Sequence, residues 1–154
     1  MKNYQVNNPS RLYVKNLYSK KDDMKVALIG DEKYENRGEI KELIFKLKQK
    51  FGDKLTIVSR GSKNGIEKWV RKFCMELSID YVEYNLASTP MNLYSGMSEE
   101  YYDKPYHPTQ KLHQYDLISQ NADKIMYFGQ IDVKDWKHFE KRVYWNDKKV
   151  TFIQ

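Results

Sequence analysis

A single cysteine, Cys74, stands among the 154 residues, so no disulfide can close within the chain and a reducing compartment is permitted. No uninterrupted apolar run approaches the ~20 residues of a membrane helix. The N-terminal stretch MKNYQVNNPSRLYVKNLYSKKDD also lacks the apolar segment of a secretory signal. These absences lead to the expectation of a cytoplasmic protein that does not engage a membrane. Histidine is scarce too. His107 and His113 are six apart, His138 lies elsewhere, and no cysteine or carboxylate completes a ligand spacing, so no metal site is expected. No nucleophile elbow or Ser–His–Asp order is visible, and there is no internal repeat or low-complexity tract.

What is present reads as globular: 40% of the residues are hydrophobic and 14% aromatic. The formal net charge of +6 favours anionic partners only weakly, because Lys and Arg are scattered among acidic residues. Residues 1–24 form a polar arm, and 25–154 form the domain. Within it an apolar run, Lys25 to Ile29, ends at Gly30 and reads as a buried strand. Ile40, Leu43, Ile44, Leu47 and Phe51 then share one helical face, closed by Gly52-Asp53. Leu55 to Val58 is a second strand. Ile66, Trp69, Val70, Phe73, Cys74 and Leu77 repeat the helical spacing and place Cys74 in the core.

Asp80 to Tyr84 is a third strand. The segment Asn85 to Pro108 has little periodicity, and a loop of that length is usually functional or mobile. A helix over Gln110 to Asn121, a strand over Lys124 to Phe128, a helix over Val133 to Tyr144 and a strand over Lys149 to Ile153 complete the chain. Val133, Trp136, Phe139 and Val143 read as the inner face of that last helix, and Trp69, Trp136 and Trp145 as core. Alternating strands and helices predict an α/β, Rossmann-like three-layer sandwich with a mainly parallel sheet.

In such a sheet ligands bind beyond the carboxyl ends of the strands. The turn Arg60-Gly61-Ser62-Lys63-Asn64-Gly65 lies there, between a strand and a helix. Glycines permit close backbone approach, and the first helical turn exposes unpaired N–H groups and the positive end of the helix dipole. With Arg60 and Lys63 adding charge, the turn is a candidate phosphate cradle. Gly30-Asp31-Glu32-Lys33-Tyr34 follows the first strand on the same edge. A third helix start on that edge carries Lys111, His113 and Gln114.

The stretches KVALIGDEKY and RGSKNGIE, with Ala122-Asp123 before KIMYFG, resemble the SLOG superfamily, most closely its YspA/YpsA-related branch. In that branch a first strand ends in Gly-Ser-Arg, and a later strand leads into S-G-G-A-x-G-I/V-D. Here Gly30, Gly61, Gly65 and Ile66 match. Asp31-Glu32 replace Ser-Arg, Ser62 replaces the second glycine, and Glu67 stands for the acid. No R-N segment precedes Ala122-Asp123; Lys111 and His113-Gln114 occupy that region.

The resemblance covers about 25–153 in order and pattern. It implies a Rossmann-like domain that binds a nucleotide or nucleotide-derived small molecule as a sensor or sequestering protein, with no further cofactor, and that self-associates, a dimer being the expected form. Together with the turns described above, it gives as candidate ligand residues Gly30, Asp31, Glu32, Arg60, Gly61, Ser62, Lys63, Asn64, Gly65, Glu67, Lys111, His113 and Gln114. Phosphoribohydrolase relatives carry G-G-G-x-x-G-x-M-G and P-G-G-x-G-T-x-x-E motifs that this chain lacks. If an N-glycosidic bond is cleaved, Glu67 or Asp31 is the candidate carboxylate. DNA-processing relatives imply an alternative, single-stranded DNA binding. Arg60, Lys63, Lys68, Arg71 and Lys72 would track the backbone, and Tyr94, Tyr101, Tyr102 and Tyr106 would stack on bases.

Overall fold

The computed structural model describes residues 23–62, 64–85 and 108–154. Strand β1 (Met24–Gly30) is central, and its residues Val26 to Ile29 are wholly buried. A run apolar at every position suits a strand covered on both faces. Helix α1 (Arg37–Phe51) follows, with the Asn36 side chain accepting from the Glu39 N–H at 3.2 Å at its start. Strand β2 (Leu55–Ser59), helix α2 (Ile66–Glu76) and strand β3 (Asp80–Glu83) complete the first half.

The second half comprises helix α3 (Pro108–Asn121), strand β4 (Lys124–Phe128), helix α4 (Val133–Trp145) and strand β5 (Val150–Ile153). All five strands pair in parallel in the order β3-β2-β1-β4-β5. The fold is therefore an α/β Rossmann-like sandwich, as the alternating pattern predicts. Chain order reverses between β1 and β4, and a reversal of this kind opens a crevice at the carboxyl edge of a parallel sheet.

Alternation along the strands divides the core into two layers. Val26, Leu28, Ile57 and Phe128 pack with Ile40, Ile44, Ile66 and Phe73 of α1 and α2. Ala27, Ile29, Val58 and Tyr127 pack with Tyr115, Ile118 and Phe139 of α3 and α4. Cys74 is fully buried, as its helical position predicts, and burial pushes its thiol well above the ordinary value.

Two expected core positions are corrected. Val133 is 81% exposed because it opens α4 just beyond the Asp132 cap and turns outward. Trp145 is 65% exposed at the last residue of the same helix, where the Arg142 guanidinium lies 4.9 Å from its ring. The polar arm lies outside the described residues except for its last two, as does the long loop over 86–107.

Candidate functional site

A cleft of about 590 Å³ opens at the carboxyl edge of the sheet, where strand order reverses. Its walls are the turn after β1, the turn after β2, the first turns of α3 and the segment from β4 into α4. The first wall is a tight turn. Asp31 donates its N–H to the Phe128 carbonyl at 2.8 Å, and its own carbonyl accepts from the Tyr34 N–H at 3.1 Å. Its carboxylate accepts from the Lys33 N–H at 3.0 Å, a local bond that favours Asp at such a turn. The Tyr34 ring then closes edge-on against Phe128.

The second wall is built on an internal ion pair. Glu67, in the first turn of α2, is completely buried. Its carboxylate accepts from the Arg60 N–H at 2.7 Å and the Arg60 Nε at 3.0 Å, and it also pairs with Nη2. The remaining Arg60 bonds reach the Gly30 carbonyl at 2.7 Å through Nη2 and the Tyr115 hydroxyl at 2.9 Å through Nη1. Burial works against the guanidinium charge, but the adjoining Glu67 carboxylate more than offsets it, and Arg60 is held above its ordinary pKa. Arg60 is thus a strut joining β1, β2, α2 and α3.

The glycines of this turn have protein partners. Gly61 has φ +74°, and a Cβ there would overlap the Glu83 carboxyl group. Glu83 is itself fixed by Tyr81 and Arg71, each at 2.9 Å, and Ser59 receives the Gly61 N–H at 2.9 Å. Gly65 has φ +73°, and a Cβ there would come within 2.6 Å of the Glu32 Cα. Both residues must therefore be glycine for packing alone, before any ligand is considered.

The α3 and α4 side continues the buried polar chain. Tyr115 donates to Asp135 Oδ2 at 3.1 Å, and Lys111 Nζ lies 3.0 Å from the same oxygen. Gln114 donates through Nε2 to the Arg60 carbonyl at 3.1 Å and the Tyr84 carbonyl at 2.9 Å. Asp132 caps α4 by accepting from the Lys134 N–H at 3.0 Å. Tyr127 of β4 borders the cleft from below.

Of the residues singled out in the sequence, Gly30, Asp31, Glu32, Arg60, Gly61, Ser62, Asn64, Lys111 and Gln114 line this cleft. Gly65 sits at the joint between the first two walls. Lys63 lies outside the described residues. Three expectations are corrected. Glu67 is sealed beneath the turn by its bonds to Arg60, so it is neither a contact for a ligand nor a free carboxylate for catalysis. Arg60 borders the cleft, but its charge is matched by Glu67 and is not a free phosphate clamp. His113 turns to Asp116 at 3.5 Å and does not line the cleft.

Four lining residues escape the sequence reading: Tyr127, Gln130, Asp132 and Asp135. Asp132 had a legible signal, since an aspartate directly before an apolar helical repeat is a cap. Tyr127 is hidden in an otherwise apolar strand.

The charge of the lining differs from that of a phosphate cradle. Its carboxylates are Asp31, Glu32, Asp132 and Asp135, and its cations are Lys33, Arg60 and Lys111. Arg60 is paired with Glu67 and Lys111 with Asp135. Among the described lining residues this leaves Asp31, Glu32 and Asp132 against Lys33, so the rim is acidic. No group of three or more His, Cys, Asp or Glu among the described residues is placed to hold a metal ion. No described helix is long and apolar enough to cross a membrane. Compared with family models, curated proteins and solved structures, the chain returns no significant match.

Proposed function

We propose that the cleft binds a small molecule derived from a nucleoside or nucleotide, and that the protein senses or sequesters it. The observation that carries this reading is the position of a polar cleft of about 590 Å³ at the reversal of strand order, walled by three strand-end segments and a helix start. That volume falls within the roughly 300–1,000 Å³ usual for small-molecule sites. Asp31, Glu32 and Asp132 on the rim are acceptors suited to sugar hydroxyls. Their charge disfavours a long polyphosphate, leaving Lys33 as the unpaired cation among the described lining residues to meet at most a short one.

Binding ranks above catalysis because Glu67 is fully occupied within the protein, leaving Asp31 as the lone carboxylate of the two first considered for N-glycosidic cleavage. A cytoplasmic setting suits the lone buried thiol of Cys74, and self-association belongs to the same reading. The experiment is a thermal-shift panel of nucleosides, nucleotides and nucleotide sugars. A ligand selective for the native state raises Tm by mass action; silence across the panel sinks the reading.

One observation favours single-stranded DNA as a second reading. Arg37, Lys68 and Lys72 lie 5.0, 5.1 and 5.6 Å from the half-buried Trp69 ring on the outer face of α1 and α2. Such a cluster of cations is suited to tracking a phosphate backbone. Arg71 is less available, since it pairs with Glu83, and Tyr94, Tyr101, Tyr102 and Tyr106 lie outside the described residues. Oligonucleotide affinity that falls steeply with salt supports this reading; absence of binding at low salt removes it.

A further inference from the structure

Two buried polar atoms border the cleft without a hydrogen-bond partner among the described residues. The first is Oε1 of Gln114, a side chain only 6% exposed. Its orientation is fixed chemically, because the other end donates to two carbonyls, Arg60 and Tyr84, and only the nitrogen can do so. Oε1 is therefore an acceptor with no donor among the described residues. The second is the hydroxyl of Tyr127, a residue only 4% exposed that lines the cleft. Its ring is held between Phe152, 5.9 Å away, and the Arg60 guanidinium, 6.0 Å away. The other buried polar side chains here are engaged: Arg60 with Glu67, Tyr115 with Asp135, and Asp135 with Lys111. Buried polar groups are rarely left without a partner, because each such group costs desolvation. Two at one cleft point to a ligand that supplies both bonds.

We propose that Gln114 and Tyr127 recognise a planar group that presents an N–H donor beside a carbonyl or ring-nitrogen acceptor, the pattern on the pairing edge of a nucleobase. Gln114 takes the N–H, and Tyr127 donates to the acceptor. The inference deepens the reading of the cleft given above and rests on it. It assigns the base to the floor, against the Tyr127 side, with the sugar toward the carboxylates of the rim.

The test uses the full chain and four probes (adenosine, guanosine, cytidine and uridine), with affinity read by calorimetry. The tightest binder is then compared with a relative methylated on its pairing edge: N6,N6-dimethyladenosine, 1-methylguanosine, N4,N4-dimethylcytidine or 3-methyluridine. Methylation is expected to weaken binding at least tenfold, because the donor to Gln114 is lost. Tyr127→Phe is expected to weaken the parent probe about tenfold, the effect of one lost hydrogen bond with its desolvation. The same substitution leaves the ligand-free Tm unchanged or raises it, since it removes an unsatisfied hydroxyl and keeps the ring; a purely structural tyrosine would lower it. If a nucleoside binds but neither methylation nor Tyr127→Phe changes its affinity, the pairing is wrong while the cleft reading stands. If none of the nucleosides, nor any compound of the thermal-shift panel, binds, both fall.

Discussion

Glu67 grips Arg60 at three points, its backbone N–H at 2.7 Å, its guanidinium Nε at 3.0 Å and its Nη2, with both residues buried. Removing one member of such a pair leaves the other buried and unmatched, which costs about 3–5 kcal/mol. Glu67→Leu and Arg60→Met are each expected to lose about that much in urea denaturation. The double variant Arg60→Met/Glu67→Leu is expected to be more stable than the sum of the two losses, because no uncompensated charge remains. Simple additivity would show that the pair is not the source of the cost.

Gly61 combines a left-handed backbone with a Cβ position that overlaps the Glu83 carboxyl group. Gly61→Ala therefore adds strain to a clash, for a loss of about 2–4 kcal/mol. Glu83 must move for the methyl to fit, and its bond to Arg71 at 2.9 Å goes with it. Urea denaturation of the variant checks this, and a loss below about 1 kcal/mol would contradict the packing described here.

Asp31→Asn tests the acidic rim. Asparagine can still accept the Lys33 N–H, so the turn and the Tm are expected to stay close to those of the parent. Removing one negative charge is expected to raise affinity for a nucleoside triphosphate several-fold relative to its nucleoside, most clearly at low salt. An unchanged ratio by calorimetry would place phosphate away from this wall.

Tyr127 and Tyr34 contribute to the alkaline limit of stability, together with Tyr81, Tyr115 and Cys74, whose pKa values burial also raises. Burial pushes the Tyr127 hydroxyl up to about 12; Arg60 opposes this and the carboxylates of Glu67, Asp31 and Asp135 add to it. Tyr34 is pushed to about 12 by burial and by its hydrogen bond to Glu39. The ordinary value is 10.0, so the fold favours the protonated phenol. That contribution is fully present below pH 10 and is lost as pH rises through 10 to about 12, because unfolding then releases a proton. Urea midpoints across this window are expected to fall, and Tyr127→Phe is expected to flatten the fall.

The elements of the fold were legible because their periods are local. The unbroken apolar run of β1 and the helical spacing from Ile66 to Leu77 each follow from burial on one or two faces. The two neighbouring turns were legible for the same reason, since a parallel sheet carries them to one edge. Their chemistry was not. In the sequence Arg60, Gly61 and Gly65 look like parts of an anion cradle and Glu67 like a ligand-contacting or catalytic carboxylate, and only tertiary partners reveal them as strut and packing. Glu83 lies 22 residues beyond Gly61, and Tyr115 lies 55 beyond Arg60, separations that no local pattern records. Tyr127 was missed because an aromatic residue in a strand reads as core whether or not its hydroxyl borders a cleft.

With the main chain of Glu32 resting on Gly65, the turns after the first two strands are buttoned into one hoop. At that point the rim is held together by close backbone contact, with no room for a side chain. A bulkier residue at the button would unfasten both sides at once.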